Sequence, residues 1–409
     1  MEISTYLPLI IIFLTYFGIA IGEFPPFKSN RTTISLIGVG ALVLIGALKI
    51  ENFFKFIDID TIILLFSMMI INTNLRLSGF FQLTAHHVIR ISKTPKMLLF
   101  TIVLLSSILS AIFLNDTICI ILTPFIIDIT KALKRNPIPY LIALATAANI
   151  GSVATLTGNP QNMIIGISSK IPYLDFLRAL SPIAIFSSIG VWIIITLLYP
   201  KEFSSTPFNQ EFHKTIKIYK PLFIKSLGIS FGLIIAFLLG VPIAKSAFIA
   251  ASLLLITRRI KPEKVFKEID WGILVFFSAL FIITGVLSES RIIQSILLQW
   301  DISTRLNLTN LTLSSVLLSN LVSNVPAVLL MKPIISVLPD PNSAWLTLAS
   351  SSTLAGNLTL LGSVANLIVA EIAQHRKINL SFWEYTKAGL LITIFSLVVH
   401  FIWLKLFIW

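Results

Sequence analysis

Two short polar clusters interrupt apolar stretches of the chain, about half its length apart. The first is Asn115-Asp116-Thr117, and the second is Ser323-Asn324. Amide, hydroxyl and carboxylate oxygens can coordinate a small cation such as sodium, and a carboxylate can also carry a proton. An apolar core has no need of such clusters, so we interpret them as the two halves of one binding site.

Each cluster is followed by a second polar segment, 149–162 in the first half and 356–366 in the second. Glycine supplies unusual dihedrals, proline removes a hydrogen-bond donor, and Asn or Thr side chains replace lost backbone partners. Small residues also mediate ordinary helix packing, but two matched segments favour a site built from broken helices. The candidate binding residues in these segments are Asn149, Gly151, Thr157, Gly158, Asn159, Asn162, Asn357, Thr359, Gly362, Ser363 and Asn366.

The composition indicates an integral membrane protein. Of the 409 residues, 56% are hydrophobic and 12% are charged, and the mean hydropathy is +0.92. Apolar runs of about 20 residues recur, which is the length that crosses a hydrocarbon core of about 30 Å. The single cysteine, Cys119, excludes a disulfide framework. We therefore expect a multi-pass protein of the cell membrane, in contact with the lipid bilayer.

Apolar runs bounded by charged loops predict an all-α polytopic fold. The helix-breaking residues divide four of these runs, and we interpret the segments 97–130 and 311–338 as re-entrant helical hairpins. The segments 140–168 and 344–373 are interpreted as broken transmembrane helices. The other predicted spans are 4–22, 32–50, 60–80, 180–199, 221–240, 244–257, 271–288 and 385–408.

The distribution of basic residues predicts the orientation. The net charge of +13 is spread over short loops and forms no single basic face, so we expect no nucleic-acid partner. Lys and Arg of short loops accumulate on the cytoplasmic side of membrane proteins. The loops of this chain follow that rule when each hairpin enters and leaves the membrane by the same face, the first hairpin from the cytoplasm and the second from outside. This arrangement places both chain termini outside. His86 and His87 are then assigned to a solvated cytoplasmic loop.

The two halves of the chain resemble each other. Asp60 and the six residues after it recur, with drift, from Asp270 onward, and Asn115 falls on Asn324 at nearly the same offset. An odd number of predicted crossings separates matching spans, so the halves are inverted in the membrane, as in secondary transporters. We divide the chain into a first repeat at 1–200, a cytoplasmic linker at 201–220 and a second repeat at 221–409.

Asp116 is the acid that the predicted spans place deepest in the membrane. Insertion scales assign a cost of about 2.5–3.5 kcal/mol to such a charge, so a functional role is the default interpretation. Asp116 would bind a coupling ion, a proton or sodium, with sodium held at the hairpin tips. A helix N-cap is the alternative role, and the two roles are compatible.

Missing motifs narrow the possible activities. The sequence contains no Walker A loop, no His-Glu-x-x-His or Gly-x-Ser-x-Gly motif and no filter like that of potassium channels. We therefore expect no ATP hydrolysis by this chain and no enzymatic activity, no dedicated metal site, and no cofactor beyond the coupling ion. A separate cytoplasmic ATPase partner stays open.

Several motifs resemble those of one transporter family. The first-half stretch from Asn115 to Pro124, the segment 148–162 and the second-half segments 323–326 and 356–366 are similar to arsenical pump membrane proteins and the related P-protein permeases of the ion transporter superfamily. The resemblance covers nearly the whole chain. It implies a scaffold and a moving transport domain in each protomer, a homodimer, an elevator-like movement and an anionic substrate coupled to protons or sodium.

The chain departs from that family at two acids. Relatives often carry Gly-Asp-Pro-Pro-Asn where this chain has Gly158-Asn159-Pro160-Gln161-Asn162, and often an acid at the position of Ser323. Asp116 is left as the main titratable group of the expected site.

These features together predict a secondary active transporter. We expect efflux of a small anion or neutral oxyacid, with arsenite first, coupled to a proton or sodium gradient. The alternatives are a sodium-coupled di- or tricarboxylate transporter similar to citrate carriers, a sodium/proton antiporter and, more distantly, a passive anion channel.

Overall fold

The structure is a computed structural model that describes residues 3–21, 30–203, 207–208, 218–256, 261–290, 307–338 and 340–409. The predicted linker at 201–220 lies largely outside the described residues. The helices of the first half are α1 (Ile3–Ile21), α2 (Arg31–Leu44), α3 (Phe53–Phe56), α4 (Ile59–Ser78), α5 (Phe80–Ile91), α6 (Pro95–Ile112), α7 (Asn115–Ala132), α8 (Pro137–Ser152), α9 (Pro160–Ser169) and α10 (Tyr173–Leu198). Those of the second half are α11 (Lys220–Leu238), α12 (Ile243–Leu255), α13 (Pro262–Phe266), α14 (Trp271–Glu289), α15 (Leu308–Val322), α16 (Asn324–Ile335), α17 (Pro341–Ala355), α18 (Val364–His375) and α19 (Phe382–Phe407).

The described part of the chain is helical and contains no β-strand, so the predicted all-α fold is confirmed. Within the described ranges, six helices, α4, α6, α10, α11, α14 and α19, are long and apolar enough to cross a membrane, judged by length and composition. Helices α2, α12, α15 and α16 are also apolar but shorter. Of these, α15 and α16 form the second predicted hairpin, and helices that stop inside a membrane must be shorter than those that cross it.

The helices break where the sequence predicted. Phe113 and Leu114 separate α6 from α7, and Ser323 alone separates α15 from α16. Residues 153–159 separate α8 from α9, and residues 356–363 separate α17 from α18. The second of these longer breaks contains a short 3₁₀ turn, Leu360–Gly362. How the breaks lie relative to a bilayer stays a prediction.

Equivalent helices of the two halves make equivalent contacts. Helix α8 packs against α6, α7 and α10, and α17 packs against α15, α16 and α19. Helix α4 packs against α11 and α12, and α14 packs against α1 and α2. The halves also interlock, because α7 contacts α18 and α16 contacts α9. These cross-contacts bring the helix breaks of the two halves together.

Two aspartates start equivalent helices. Asp58 accepts a hydrogen bond from the Thr61 amide at 3.1 Å at the start of α4, and Asp270 accepts one from the Ile273 amide at 3.1 Å at the start of α14. Both are N-caps, which satisfy a backbone donor that the helix leaves free. The structural counterpart of Asp270 is therefore Asp58, two residues before the Asp60 that sequence comparison aligns with it.

The loop predicted for His86 and His87 is wrong, because both residues lie in α5. The helix is anchored by aromatic contacts: the rings of Phe80 and Phe81 lie 6.0 and 5.5 Å from that of Phe113, edge to face. Such contacts stabilise a short amphipathic helix that has too few apolar residues to register as a span.

Gly151 tests the packing of α8 on α6. A methyl group at this position would collide with the backbone of Ser107, whereas one at Gly228 would meet nothing within 4 Å. We expect Gly151→Ala to lower the stability of the purified protein by about 1–3 kcal/mol, the usual cost of overpacking. Gly228→Ala should leave it unchanged or raise it slightly, since alanine favours helix. Thermal melts in detergent measure both, and equal melting temperatures would contradict the packing.

Candidate functional site

One buried amide connects both halves of the protein. The side-chain oxygen of Asn149 accepts hydrogen bonds from Asn115 at 3.0 Å and from Ser363 at 3.1 Å. Its nitrogen donates to the side-chain oxygens of Asn357 at 2.9 Å and Asn366 at 3.0 Å. Asn149 thereby joins α8 to the tip of the first hairpin and to the second broken span.

Two equivalent asparagines satisfy the carbonyls that the helix breaks release. The side-chain nitrogens of Asn162 and Asn366 each donate to the carbonyls of the residues ten and seven positions earlier, at 2.8–3.1 Å. These carbonyls belong to Ser152 and Thr155 in the first half, and to Gly356 and Thr359 in the second. Because a buried carbonyl without a partner is costly, each asparagine makes its break possible.

Equivalent hydrogen bonds also cross between the halves. The nitrogen of Asn159 donates to the Thr353 hydroxyl at 3.3 Å, and the Ser363 hydroxyl donates to the Asn149 oxygen at 3.1 Å. The repeat maps Asn159 onto Ser363 and Asn149 onto Thr353, so these are two copies of one contact. Gln161, which the sequence analysis did not select, donates to the same Thr353 hydroxyl at 3.1 Å.

The broken span also holds the first hairpin tip directly. The backbone N–H of Asn115 donates a hydrogen bond to the backbone carbonyl of Gly158 at 3.0 Å. A side chain at Gly158 would collide with the backbones of Ser152 and Ser110, and one at Gly362 would approach the Gly356 carbonyl at 2.8 Å. Glycine at both positions allows the close approach of backbones that the site needs.

A cavity of about 780 Å³ lies where the two hairpin tips meet. The predicted residues that line it are Asn115, Asp116, Ser323, Asn324 and Ser363. The other predicted residues do not line it: Thr117, Asn149, Gly151, Thr157, Gly158, Asn159, Asn162, Asn357, Thr359, Gly362 and Asn366. Most of this second group is buried and hydrogen-bonded behind the cavity wall, where it fixes the positions of the lining residues.

Two threonines of the second group face neighbouring helices. The Thr117 hydroxyl accepts a hydrogen bond from the Asn72 nitrogen of α4 at 3.4 Å. The Thr157 hydroxyl lies 3.5 Å from that of Tyr173 at the start of α10. Both threonines therefore position the helix breaks against their surroundings.

Three side-chain oxygen groups of the cavity accept no hydrogen bond from the described residues. The side-chain oxygens of Asn115 and Asn324 are buried and accept no hydrogen bond in this part of the chain. The half-buried Asp116 carboxylate likewise makes no hydrogen bond or ion pair with the described residues. Buried acceptors normally find donors, so these oxygens are the groups that a ligand would satisfy.

Sequence reasoning missed the charged residues that other helices bring to the cavity. Arg31 and Asp270 line it from the starts of α2 and α14, and Glu371 lines it from α18. Among the described lining residues Arg31 is the one basic side chain. Asp270 and Asp116 therefore place two carboxylates on the same cavity. Asp270 begins the second copy of the repeated motif, and this repetition is the one sequence signal that could have indicated a role for Asp270 in the site.

Comparison with known proteins identifies the family. The family model described as citrate transporter matches residues 16–349, most of the chain. The chain belongs to this citrate transporter family. Its members are secondary transporters, so the protein is a membrane transporter and not an enzyme, and the resemblance to ion transporter superfamily permeases is confirmed.

Named relatives and solved structures agree with this membership. The chain is 29% identical to a silicon efflux transporter of Oryza sativa subsp. japonica, covering 94% of this chain and 95% of that one. It is 27% identical to a putative arsB transporter of Dictyostelium discoideum, covering 90% and 86%. The fold of the transporter is similar to that of MtrF, an antimetabolite efflux pump of Neisseria gonorrhoeae, with a TM-score of 0.62, 14% identity and coverage of 100% and 95%.

The paired asparagines give a test of the site's architecture. We expect Asn162→Ala and Asn366→Ala both to lower the stability of the transporter, because each leaves two carbonyls unpaired at about 1–3 kcal/mol per group. Asn366→Ala should lower it further, since the Asn366 oxygen also accepts a hydrogen bond from Asn149. Asn52→Ala is the control, since Asn52 is exposed and its side chain caps no helix. Thermal melts in detergent would contradict this assignment if either variant behaved like the control.

Proposed function

We propose that the protein is a secondary active transporter that exports a small oxyacid, with arsenite as the first substrate to test, and that Asp116 carries the coupling ion. The observation that carries the proposal is the convergence on one cavity of three oxygen groups, those of Asn115, Asp116 and Asn324, that have no hydrogen-bond partner among the described residues. The coupling ion would be a proton or sodium, both of which a carboxylate and amide oxygens can hold.

The chemistry of the cavity favours a neutral, hydroxylated substrate. Unpartnered oxygens require hydrogen-bond donors, and undissociated arsenous acid presents a hydroxyl group on each of its three oxygens. The first turns of α7 and α16 begin at the same cavity, and helix N-termini offer backbone N–H groups to the substrate oxygens. The relatives named for silicon efflux and as arsB support this class, because silicic acid is also a small neutral hydroxylated acid.

Movement of one part of the protein against another would carry the substrate. We define the transport domain as α6–α10 and α15–α19, and the scaffold as α1–α4 and α11–α14. The cavity lies between them, because Arg31 and Asp270 belong to the scaffold and Asp116 and Asn324 to the transport domain. An elevator-like displacement of the transport domain, in a homodimer joined by its scaffolds, would expose the cavity on alternate sides.

The predicted orientation assigns a direction to the described state. With both chain termini outside, the starts of α2 and α14 face the cytoplasm. Because both helix starts line the cavity, the substrate would enter it from the cytoplasmic side, as an exporter requires.

A citrate-like carboxylate is the second candidate. The description of the family and the position of Arg31 in the cavity favour it. The carboxylates of Asp116, Asp270 and Glu371 in the same cavity oppose it, because they would repel a polyanion. Uptake of labelled citrate with and without sodium distinguishes the two candidates, and flux without dependence on any coupling ion would indicate a passive channel.

Asp116→Asn tests the coupling role. In arsenite-sensitive cells, we expect the unchanged protein to lower intracellular arsenic and Asp116→Asn to abolish at least nine-tenths of that effect, because an amide cannot exchange a proton or neutralise a cation. Asp175→Asn is the matched control, since Asp175 is an exposed acid on α10.

The results would overturn the proposal in two distinct ways. Equal intracellular arsenic with and without the unchanged protein would refute the substrate. Full export by Asp116→Asn at normal membrane abundance would refute the role of Asp116 while leaving the substrate in place.

A further inference from the structure

In the described part of the chain, one ion pair joins the transport domain to the scaffold. The Lys332 ammonium of α16 lies 3.6 Å from the carboxylate of Asp58, and the two side chains are 32% and 17% exposed. The same ammonium lies 5.9 Å from the centre of the Phe281 ring of α14. Lys332 of the second hairpin therefore lies between the start of α4 and one face of α14.

The neighbouring ion pairs do not cross this boundary. Lys55–Glu289 and Arg76–Glu268 lie within the scaffold, and Arg376–Asp128 lies within the transport domain. Any displacement of the transport domain would leave these three pairs intact. It would separate Lys332 from Asp58.

The repeat shows what would replace this contact. Asp58 and Asp270 are equivalent N-caps, and each lies near the second arm of a hairpin. Asp270 lines the same cavity as Asp116 at the tip of the first hairpin, whereas Asp58 lies 3.6 Å from Lys332, near the base of the second hairpin. The repeat maps Lys332 onto Thr123, seven residues beyond Asp116, and seven helical residues span about 10 Å.

Asp270 lies near the tip of its hairpin and Asp58 near the base of the other. This difference indicates where the transport domain lies in the described state. If the two halves exchanged their environments, Asp58 would face Val325, the counterpart of Asp116, and Asp270 would face Thr123. The opposite state would then differ by a displacement of about 10 Å along the hairpin helices. Lys332 would have no acid beside it at the equivalent place.

We propose that Lys332 and Asp58 form a latch that holds the transport domain in the described state and breaks in each transport cycle. The inference rests on the proposed alternating movement, but not on the identity of the substrate. Thr123 stands where the first half would need a lysine, so the opposite state has no equivalent latch. The ion pair therefore biases the protein toward the described state.

A cysteine reporter in the cavity wall can measure the two states. Val364 lines the cavity, and so does Pro160, its counterpart in the repeat, so position 364 would border the cavity in both states. In a Cys119→Ala background, Val364→Cys is labelled with a membrane-impermeant maleimide from each face of sealed vesicles. The ratio of labelling from the two faces reports the distribution of states, whichever face is cytoplasmic.

Removing either charge should shift this ratio. We expect Lys332→Gln and Asp58→Asn each to change it at least threefold in the same direction, and the double variant to change it no further, because the partners act as one pair. Asn is as good an N-cap as Asp, so Asp58→Asn keeps the start of α4 intact. Lys332→Arg should restore the original ratio.

Lys55→Gln is the matched control, because it breaks the Lys55–Glu289 pair inside the scaffold, which joins the groups at 2.5 Å. It should leave the labelling ratio unchanged. An unchanged ratio in both Asp58→Asn and Lys332→Gln would overturn the latch, as would an equal change in Lys55→Gln. Should Lys332→Gln fail to reach the membrane, Asp58→Asn alone decides.

Cross-linking gives a second measurement of the opposite state. Asp58→Cys with Val325→Cys, again without Cys119, should form a disulfide under mild oxidation, whereas Lys55→Cys with Val325→Cys should not. Absence of the first disulfide would refute the exchanged contact when the Val364→Cys protein in matched vesicles is labelled from both faces. None of these measurements uses arsenite, so the latch and the proposed substrate can fail separately.

Discussion

The structure depends on one constraint: a helix that stops inside an apolar protein must find partners for the backbone groups it frees. Water is not available there, and each unsatisfied group costs several kcal/mol. Asn162 and Asn366 meet the requirement with their side-chain nitrogens, each directed at two carbonyls of its own broken span. Each asparagine thereby stabilises the break of its own span.

The same breaks create the conditions for binding. Ending α6 and α15 early leaves the first turns of α7 and α16 at a cavity, with backbone donors and the side chains of Asn115 and Asn324 directed at it. The network around Asn149 holds these groups in place from behind, so the cavity wall is rigid while its oxygens lack partners. The scaffold adds two charged residues, Arg31 and Asp270, which lie outside the four helix breaks.

Sequence reasoning located the helix breaks because Asn, Gly and Pro inside apolar runs have few other physical explanations, and it located the polar residues that accompany them. It could not separate the residues that line the cavity, such as Ser363, from those behind it, such as Asn366, because both belong to one short motif. Arg31 escaped notice for a different reason. Its position beside the hairpin tips results from packing between helices that are distant in sequence, and near the end of an apolar run it reads as an ordinary loop charge. Helix α5 was missed because aromatic contacts, not hydropathy, stabilise it.

The second hairpin turns through a single residue. Ser323 has φ of 76° and ψ of 162°, a conformation that residues other than glycine rarely adopt, and α15 and α16 adjoin it directly. A connection of one residue has no slack, so the two arms cannot part at the tip unless a turn of helix unwinds. The tip is therefore unsuited to act as a flap that opens on its own. It follows that the length of this turn belongs to the site as much as its side chains do, because an insertion at Ser323 would displace Asn324 and with it one wall of the cavity.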